Sequence, residues 1–543
     1  MTATHHAGTS PATDYEVVIG LEVHAQVVTE SKMFCGCSSR YSGAPPNTLV
    51  CPVCLGMPGS LPVMNRTAVE ATIITALALN CEIPEFSKFD RKNYNYPDLM
   101  KGYQISQFDL PFSQAGWLEF DDPANPGQMR RAGITRVHLE EDTATLKHVR
   151  DSSGETYSLM DVNRAGVPLM EIVGDPDLRT ADEAGSYLRA LRQILRYLGV
   201  STANMDEGAF RCDANVSLRP WGQAEYGAKV EVKNMNSFRS VIRAIEFEIV
   251  RQRDILDAGG RIVQETRGWV DDRAITVTQR SKEAAHDYRY FPEPDLPPIV
   301  TPATEVARLR SLLPELPDAK RHRFADAYGM TADIADTLTQ TRALAEYFEQ
   351  TAHLSGNARA TANWITRDVL RILGNTGAEI DQILLTPAHL ADLIKLLDTG
   401  TISVRTAPEV LEEAVSTGSM PHEIVQKRGL GQVSDTNALT TAVADAIASN
   451  PKAVADYRAG KATAMGFLVG AVMKATRGKG NPGLVNELLK QQLDGSRSAF
   501  QSGATGWGWA TRRALQSGTK GWESDGRPRT PWKPGSGFPV PWG

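Results

Sequence analysis

Four cysteines fall in two close pairs, Cys35-x-Cys37 and Cys51-x-x-Cys54, thirteen residues apart. Two such pairs can supply four thiolates to one tetrahedral zinc ion. Gly36, Pro52 and Gly56 give the tight turns that such knuckles need. Four thiolates leave no open coordination position, so the zinc would be structural. A redox pair at Cys51 and Cys54 would leave Cys35 and Cys37 unexplained. Buried, unliganded thiols are the plainer alternative. Cys81 and Cys212 stand apart and read as core residues.

A second group is acidic. Tyr15–Val27 has the Val, Ile and Leu content of a strand. Period two puts Glu22, His24 and Gln26 on one face and Val23, Ala25 and Val27 on the other. His138-Leu-Glu-Glu-Asp142 closes another strand-like run, and Glu171 lies between Met170 and Ile172. A carboxylate on a half-buried strand needs a cationic partner. Glu22, His24, Glu141 and Glu171 together would form a hard-cation site suited to Mg²⁺ or Mn²⁺ carrying nucleotide phosphates. Taken alone, each stretch could equally be a solvated strand face.

A third group is cationic. It comprises Lys88, Arg91, Lys92 and Asn93, then Arg211-Cys-Asp-Ala-Asn215, then Lys233-Asn-Met-Asn-Ser237. Arg211, Asp213 and Asn215 share a strand face. Asn236 is placed to cap a helix, and a helix start beside Lys233 suits an anion. No Gly-x-x-x-x-Gly-Lys-Ser/Thr or Gly-x-Gly-x-x-Gly loop occurs, so any ATP is held by neither a P-loop nor a Rossmann turn. Near the end, residues 452–490 carry seven Lys/Arg against two Asp/Glu, a local basic patch suited to backbone phosphates.

The elements that must position these groups change character along the chain. Residues 15–298 hold short alternating strands: 134–140, 158–162, 167–173, 210–218, 229–233 and 275–278. They predict an antiparallel sheet. Helices are expected from Asn65 to about Leu79, from the Thr180-Ala-Asp-Glu183 box to Leu198 with Gly199 as stop, and from Ser237 to Leu256. After the proline-rich stretch 291–298, helical periodicity dominates. The expected divisions are a helical domain over 299–386 and a small all-helical unit over 387–494. Residues 1–14 and 495–543 are expected to lack structure. The latter hold five of the nine tryptophans and little periodicity, and no function is assigned to them.

With 543 residues, 41% hydrophobic and 22% charged, the chain is an ordinary globular composition large enough for several cores. A net charge of −6 excludes a globally basic nucleic-acid coat. No apolar run reaches membrane-spanning length, and Met1–Asp14 lacks the apolar centre of a secretory signal, so a cytoplasmic protein without a membrane partner is expected.

Taken in order, several of these segments resemble a known family, GatB, the B subunits of the aspartyl/glutamyl-tRNA(Asn/Gln) amidotransferases. They are Ile19-Gly-Leu-Glu-Val-His24, Phe89-Asp-Arg-Lys-Asn-Tyr94, Gln104-Ile-Ser-Gln107 and His138-Leu-Glu-Glu-Asp142. Residues 161–173, Arg211-Cys-Asp-Ala-Asn-Val216, Glu231-Val-Lys-Asn-Met-Asn-Ser-Phe238 and Gly466-Phe-Leu-Val-Gly470 agree too. The resemblance implies an α+β fold, with a cradle-like catalytic domain built on an antiparallel sheet, then a helical domain and a small helical tail domain that contacts tRNA.

It also implies a heterotrimer, completed by an amidase and a small third component. Misacylated Glu-tRNA(Gln) or Asp-tRNA(Asn) would be phosphorylated by ATP on its side-chain carboxylate. Ammonia channelled from the amidase would then displace the phosphate. Glu22, His24, Glu141 and Glu171 carry over as Mg²⁺ ligands, and Cys35, Cys37, Cys51 and Cys54 as zinc ligands. Lys88, Arg211, Asp213 and Lys233 are the expected catalytic residues; Lys92, Asn93 and Asn215 are the expected nucleotide contacts. The competing readings are a non-catalytic zinc-containing tRNA-binding scaffold, which leaves the carboxylates unexplained, and a stand-alone metal hydrolase.

Overall fold

The structure is a computed structural model. It describes residues 14–281, 288–431, 436–461, 463–476 and 480–501. Its strands are β1 (Tyr15–Gln26), β2 (Phe86–Ser87), β3 (Asp90–Asn93), β4 (Tyr103–Ser106), β5 (Gly116–Asp121), β6 (Met129–Glu141), β7 (Thr145–Arg150) and β8 (Thr156–Asp161). β9 (Pro168–Gly174), β10 (Phe210–Pro220), β11 (Val230–Met235), β12 (Glu265–Val270), β13 (Ile275–Ser281), β14 (Phe291–Pro292) and β15 (Ile299–Val300) follow.

Eight of these form one sheet in the order β13-β12-β11-β10-β1-β9-β6-β5. The central strand is β1, the Val/Ile/Leu-rich run. Its Ile19, Leu21, Val23 and Ala25 are buried in the main core, while Glu22, His24 and Gln26 stay half-exposed on one face. Neighbours pair antiparallel with one exception: β11 and β12 are parallel. A parallel pair needs a crossover, and helix 238–257 supplies it.

Helices α1 (Arg66–Ala78), α2 (Ala181–Leu198) and α3 (Phe238–Asp257) begin at side-chain caps. Asn65 accepts from Ala68 N, Thr180 from Glu183 N, and Ser237 from Ser240 N. Ser237, not Asn236, is therefore the cap of α3, so the side chain of Asn236 is free to line a cleft described below. Glu183 reaches one residue beyond the expected box, to Arg179 N at 2.8 Å. Gly199 ends α2 in the left-handed conformation. Apolar stripes of α2 (Leu188, Leu191, Leu195) and α3 (Val241, Ala244, Ile245) enter the core. At Gly185 the two helices meet so closely that a Cβ would lie 2.7 Å from Ile242 Cδ1.

Beyond β15 the described chain is helical. A second core runs from Phe324 to Val425 without a break at 386/387. His389 and Leu390 of one helix share this core region with Tyr347 and Phe348 of another. The core thus spans the expected division at 386/387, and the chain forms two compact units, one ending at Leu430 and one starting at Gly431. The second unit has its own core, from Leu439 to Leu493. Its last helix, Pro482–Gln501, carries regular structure past the expected limit at 494. The expectations for 1–13 and 502–543 lie outside the described residues. No described helix is long and apolar enough to cross a membrane.

Candidate active site

The polar face of the sheet is built by register. His24 of β1 sits opposite Glu171 of β9, and Glu171 sits opposite His138 of β6. Directly opposed residues share a face, so the three form a row across three strands. Glu171 Oε2 lies 3.5 Å from His24 Nε2 and 3.2 Å from His138 Nε2. Glu140, two residues beyond His138 on β6, completes the group with Oε1 at 3.8 Å from His24 Nε2. Ligand atoms of His24, Glu140 and Glu171 all lie within 4.8 Å of one another.

Burial alone would raise the pKa of Glu171, but His138 and His24 outweigh it and hold the carboxyl well below its usual range. Burial pushes His24 down, while Glu171, Glu140 and Asp213 push it up, with a net rise. The group is a dense acidic–imidazole cluster that a divalent cation would relieve of like-charge crowding.

Two of the expected ligands, Glu141 and Glu22, fall outside this group. Glu141 points to the opposite face, where its carboxylate pairs with Lys101 Nζ and accepts from Ile105 N at 3.0 Å. There it opens on a small cavity shared with Cys35 and Cys54. The reason is strand alternation: Glu141 follows the buried set Val137 and Leu139, and Glu140 follows His138. Glu22 keeps the right face but lies outside the three-ligand group, held at 2.8 Å by Asn215 Nδ2. Asn215 Oδ1 is buried without a hydrogen-bond partner.

Beside the cluster opens a cleft of about 350 Å³, walled by His24, Lys92, Tyr94, Glu140, Arg211 and Lys233, with Asp142, Asp213, Asn234 and Asn236 also lining it. Asp142, 3% exposed, stands behind Arg211. It accepts from Arg211 Nη2 at 3.0 Å and Gln26 Nε2 at 2.7 Å, with Arg164 Nε at 3.6 Å. Burial opposes its charge, yet Arg211, Arg164 and Gln26 hold its pKa below the usual carboxylate value.

On the other side Lys233 pairs with Asp213 and, at 3.1 Å, with Glu231. Burial disfavours its charge, but these carboxylates outweigh it and raise its pKa. The backbone aims this residue. Cys212 pairs with Met235 and Ala214 with Val232, so Lys233 and Asn234 together oppose the single residue Asp213. Asn234 takes φ +66° in that bulge, a conformation Asn tolerates better than most residues.

Of the expected phosphate contacts, Arg211, Lys233 and Lys92 line the cleft. Lys92 feels Glu140 and Glu171, which outweigh burial and raise its pKa; its Nζ lies 5.3 Å from the Tyr288 ring centroid. Lys88 does not line it, because Asp90 and Asp109 clasp its ammonium. Nor does Asn93, whose amide bonds Arg289 O at 2.9 Å and ties β3 to the chain before β14. Sequence reasoning did not single out His138, Glu140 and Asp142, which the structure brings to the cluster and the cleft. The alternation of 137–141 contained the signal for the first two.

The four cysteine sulfurs also converge, all within 4.8 Å of one another. Cys51 and Cys54 Sγ are 3.9 Å apart, close to the sulfur spacing of about 3.8 Å expected around a tetrahedral zinc with bonds of about 2.3 Å. The thiol hydrogen bond from Cys35 chiefly lowers the Cys54 pKa, to about 5, and burial chiefly raises that of Cys37 to about 11.

Residues 17–307 match the GatB/GatE catalytic domain and residues 346–493 the GatB domain. Curated relatives, each named as the B subunit of an aspartyl/glutamyl-tRNA(Asn/Gln) amidotransferase, are similar over nearly their whole length. The protein of Thermomicrobium roseum is 56% identical over 483 residues, covering 88% of this chain and 99% of the relative. That of Moorella thermoacetica is 54% identical over 480 residues (88% and 100%), and one of Dehalococcoides mccartyi 53% over 492 (89% and 99%). This chain belongs to the GatB family. Its fold is of mixed α+β class. The GatB catalytic-domain match contains both the three-ligand cluster and the four-cysteine site.

Proposed function

We propose that this GatB protein uses ATP to phosphorylate the side-chain carboxylate of Glu-tRNA(Gln), Asp-tRNA(Asn) or both, releasing ADP, and that ammonia then attacks the acyl carbon to form the amide and expel phosphate. The observation that carries the reading is the convergence of His24, Glu140 and Glu171 at the edge of a cleft walled by Lys92, Arg211 and Lys233.

A carboxylate is a poor electrophile, and transfer of the γ-phosphoryl group gives it a leaving group. The protein's task in such a step is positioning and charge stabilisation. Lys92, Arg211 and Lys233 offset phosphate charge from three sides. Asp142 holds Arg211 in place, and Asp213 does the same for Lys233. Two carboxylates and an imidazole are a donor set that suits a hard divalent ion. His24, Glu140 and Glu171 would hold Mg²⁺, which when bound neutralises and orients the nucleotide phosphates. The cysteine quartet, closed and distant in function from the cleft, would hold a structural zinc.

The reading extends to the assembly: an amidase that releases ammonia from glutamine, a small third component, and misacylated tRNA, in the cytoplasm. In it residues 15–298 form the kinase/transamidase domain and the C-terminal helical unit contacts tRNA. A zinc-bearing scaffold without catalysis would have no use for a polarised acidic cluster beside three cations. The test is ATP-dependent conversion of Glu-tRNA(Gln) by the assembled complex, with Glu140→Gln in parallel. Amidation by that variant at the wild-type rate would refute the site.

A further inference from the structure

Lys32 is 1% exposed, a lysine drawn wholly out of water. Its Nζ donates to the carbonyl oxygens of Leu49 at 2.8 Å and Val162 at 3.4 Å, and among the described residues it is paired with no carboxylate. Neutral carbonyls satisfy the hydrogen bonds of an ammonium but not its charge, and an uncompensated buried charge is strongly unfavourable. Some anion must lie near.

The cysteine quartet lies beside this lysine. The backbone N of Lys32 donates to Cys37 O at 2.8 Å. Its side chain and that of Cys54 pack on the same glycine: a Cβ at Gly166 would meet Lys32 Cδ at 3.5 Å and Cys54 Cβ at 3.7 Å. Gly166 takes φ +82°, so the loop that brings the two together needs glycine there. Four thiolates on one Zn²⁺ carry a formal net charge of about −2, and Cys54, the one buried member of the quartet, is the one that shares Gly166 with Lys32.

We propose that Lys32 is a resident counter-ion of the four-cysteine site, a buried positive charge that sets the affinity of the tetrathiolate for its metal. The inference rests on reading the cysteines as a metal site. It adds a charged residue outside the ligand set.

The test uses the full chain, zinc and cobalt as probes, and competition with a chromophoric chelator. Lys32→Met removes charge and hydrogen bonds; Lys32→Gln removes the charge but can still donate to Leu49 O and Val162 O. Both should weaken zinc by about 10–100-fold, the range typical of residues that support a metal's ligands. In a Cys37→His background the ligand set loses one negative charge, and the loss caused by Lys32→Gln should shrink. Wild-type affinity in Lys32→Gln would reduce Lys32 to a hydrogen-bonding strut. An equal loss in both backgrounds would also overturn the counter-ion role. Absence of a thiolate-to-cobalt absorption band in the wild type would overturn the metal reading itself, and this inference with it.

Discussion

Glu140 and Glu141 are adjacent in the chain and serve opposite faces of the sheet: one carboxylate lies 3.8 Å from His24, the other pairs with Lys101 on the cysteine side. The two should therefore fail differently. Glu140→Gln should lower ATP-dependent amidation by about 100-fold or more, as loss of a group that organises transition-state charge does, with little change in melting temperature. Glu141→Gln should keep most activity and lose about 1–3 kcal/mol of stability, because the half-buried Lys101 ammonium loses its partner. Steady-state kinetics and thermal melts of both variants check this.

Lys88, just before β3, and Lys92, within it, should also separate. Lys92 faces the cleft and its acidic cluster, whereas Lys88 is spent on Asp90 and Asp109. Lys92→Ala should reduce kcat/KM for ATP by about 10–100-fold, a loss of about 1.4–2.8 kcal/mol. Lys88→Ala should change it less than about threefold and cost about 1–3 kcal/mol of stability, because the buried Asp90 carboxylate loses its cation. Comparable losses in the two variants would contradict this division.

Arg211 is held by a carboxylate whose folded pKa is depressed, which fixes the sign of a pH effect. The stabilisation from Asp142 is present in full above its unfolded value of about 3.9 and is lost as the pH falls through the lower folded value. Asp142→Asn should thus cost about 2–3 kcal/mol, evenly between about pH 6 and 8, and the difference from wild type should narrow only below about pH 4. Denaturant melts across that range measure it.

Much of this was legible in the sequence. The Tyr15–Gln26 strand, the caps at Asn65 and Thr180 and the cysteine quartet follow from side-chain period, local hydrogen bonding and ligand spacing, which are short-range rules. Other features were set by distant partners. Lys88 and Lys92 have the same charge and lie four residues apart; Asp90 and the more distant Asp109 together hold Lys88 away from the cleft. The core crossing 386/387 depends on which helices pack together, and periodicity does not encode that. Glu140 was legible and overlooked: Val137 and Leu139 mark the apolar face of β6, and period two then gives Glu140, with His138, to the other.

The bulge at Asn234 makes a separate prediction. Its φ of +66° places Lys233 beside Asp213. Asn234→Gly should be nearly neutral, whereas Asn234→Val should cost about 1–3 kcal/mol and shift the Lys233 contact, raising KM for ATP. Equal stability of the two variants would show that the left-handed backbone is not what the position requires.

The most direct measurement is formation of the activated carboxylate itself. The assembled complex is given Glu-tRNA(Gln) and ATP labelled in its γ-phosphate, with glutamine and ammonia withheld, in a single turnover. Wild type and Glu141→Gln should transfer label to the aminoacyl-tRNA at comparable rates, and Glu140→Gln should transfer essentially none. Labelled acyl phosphate from Glu140→Gln at the wild-type rate, or its loss in Glu141→Gln alone, would contradict the His24–Glu140–Glu171 site.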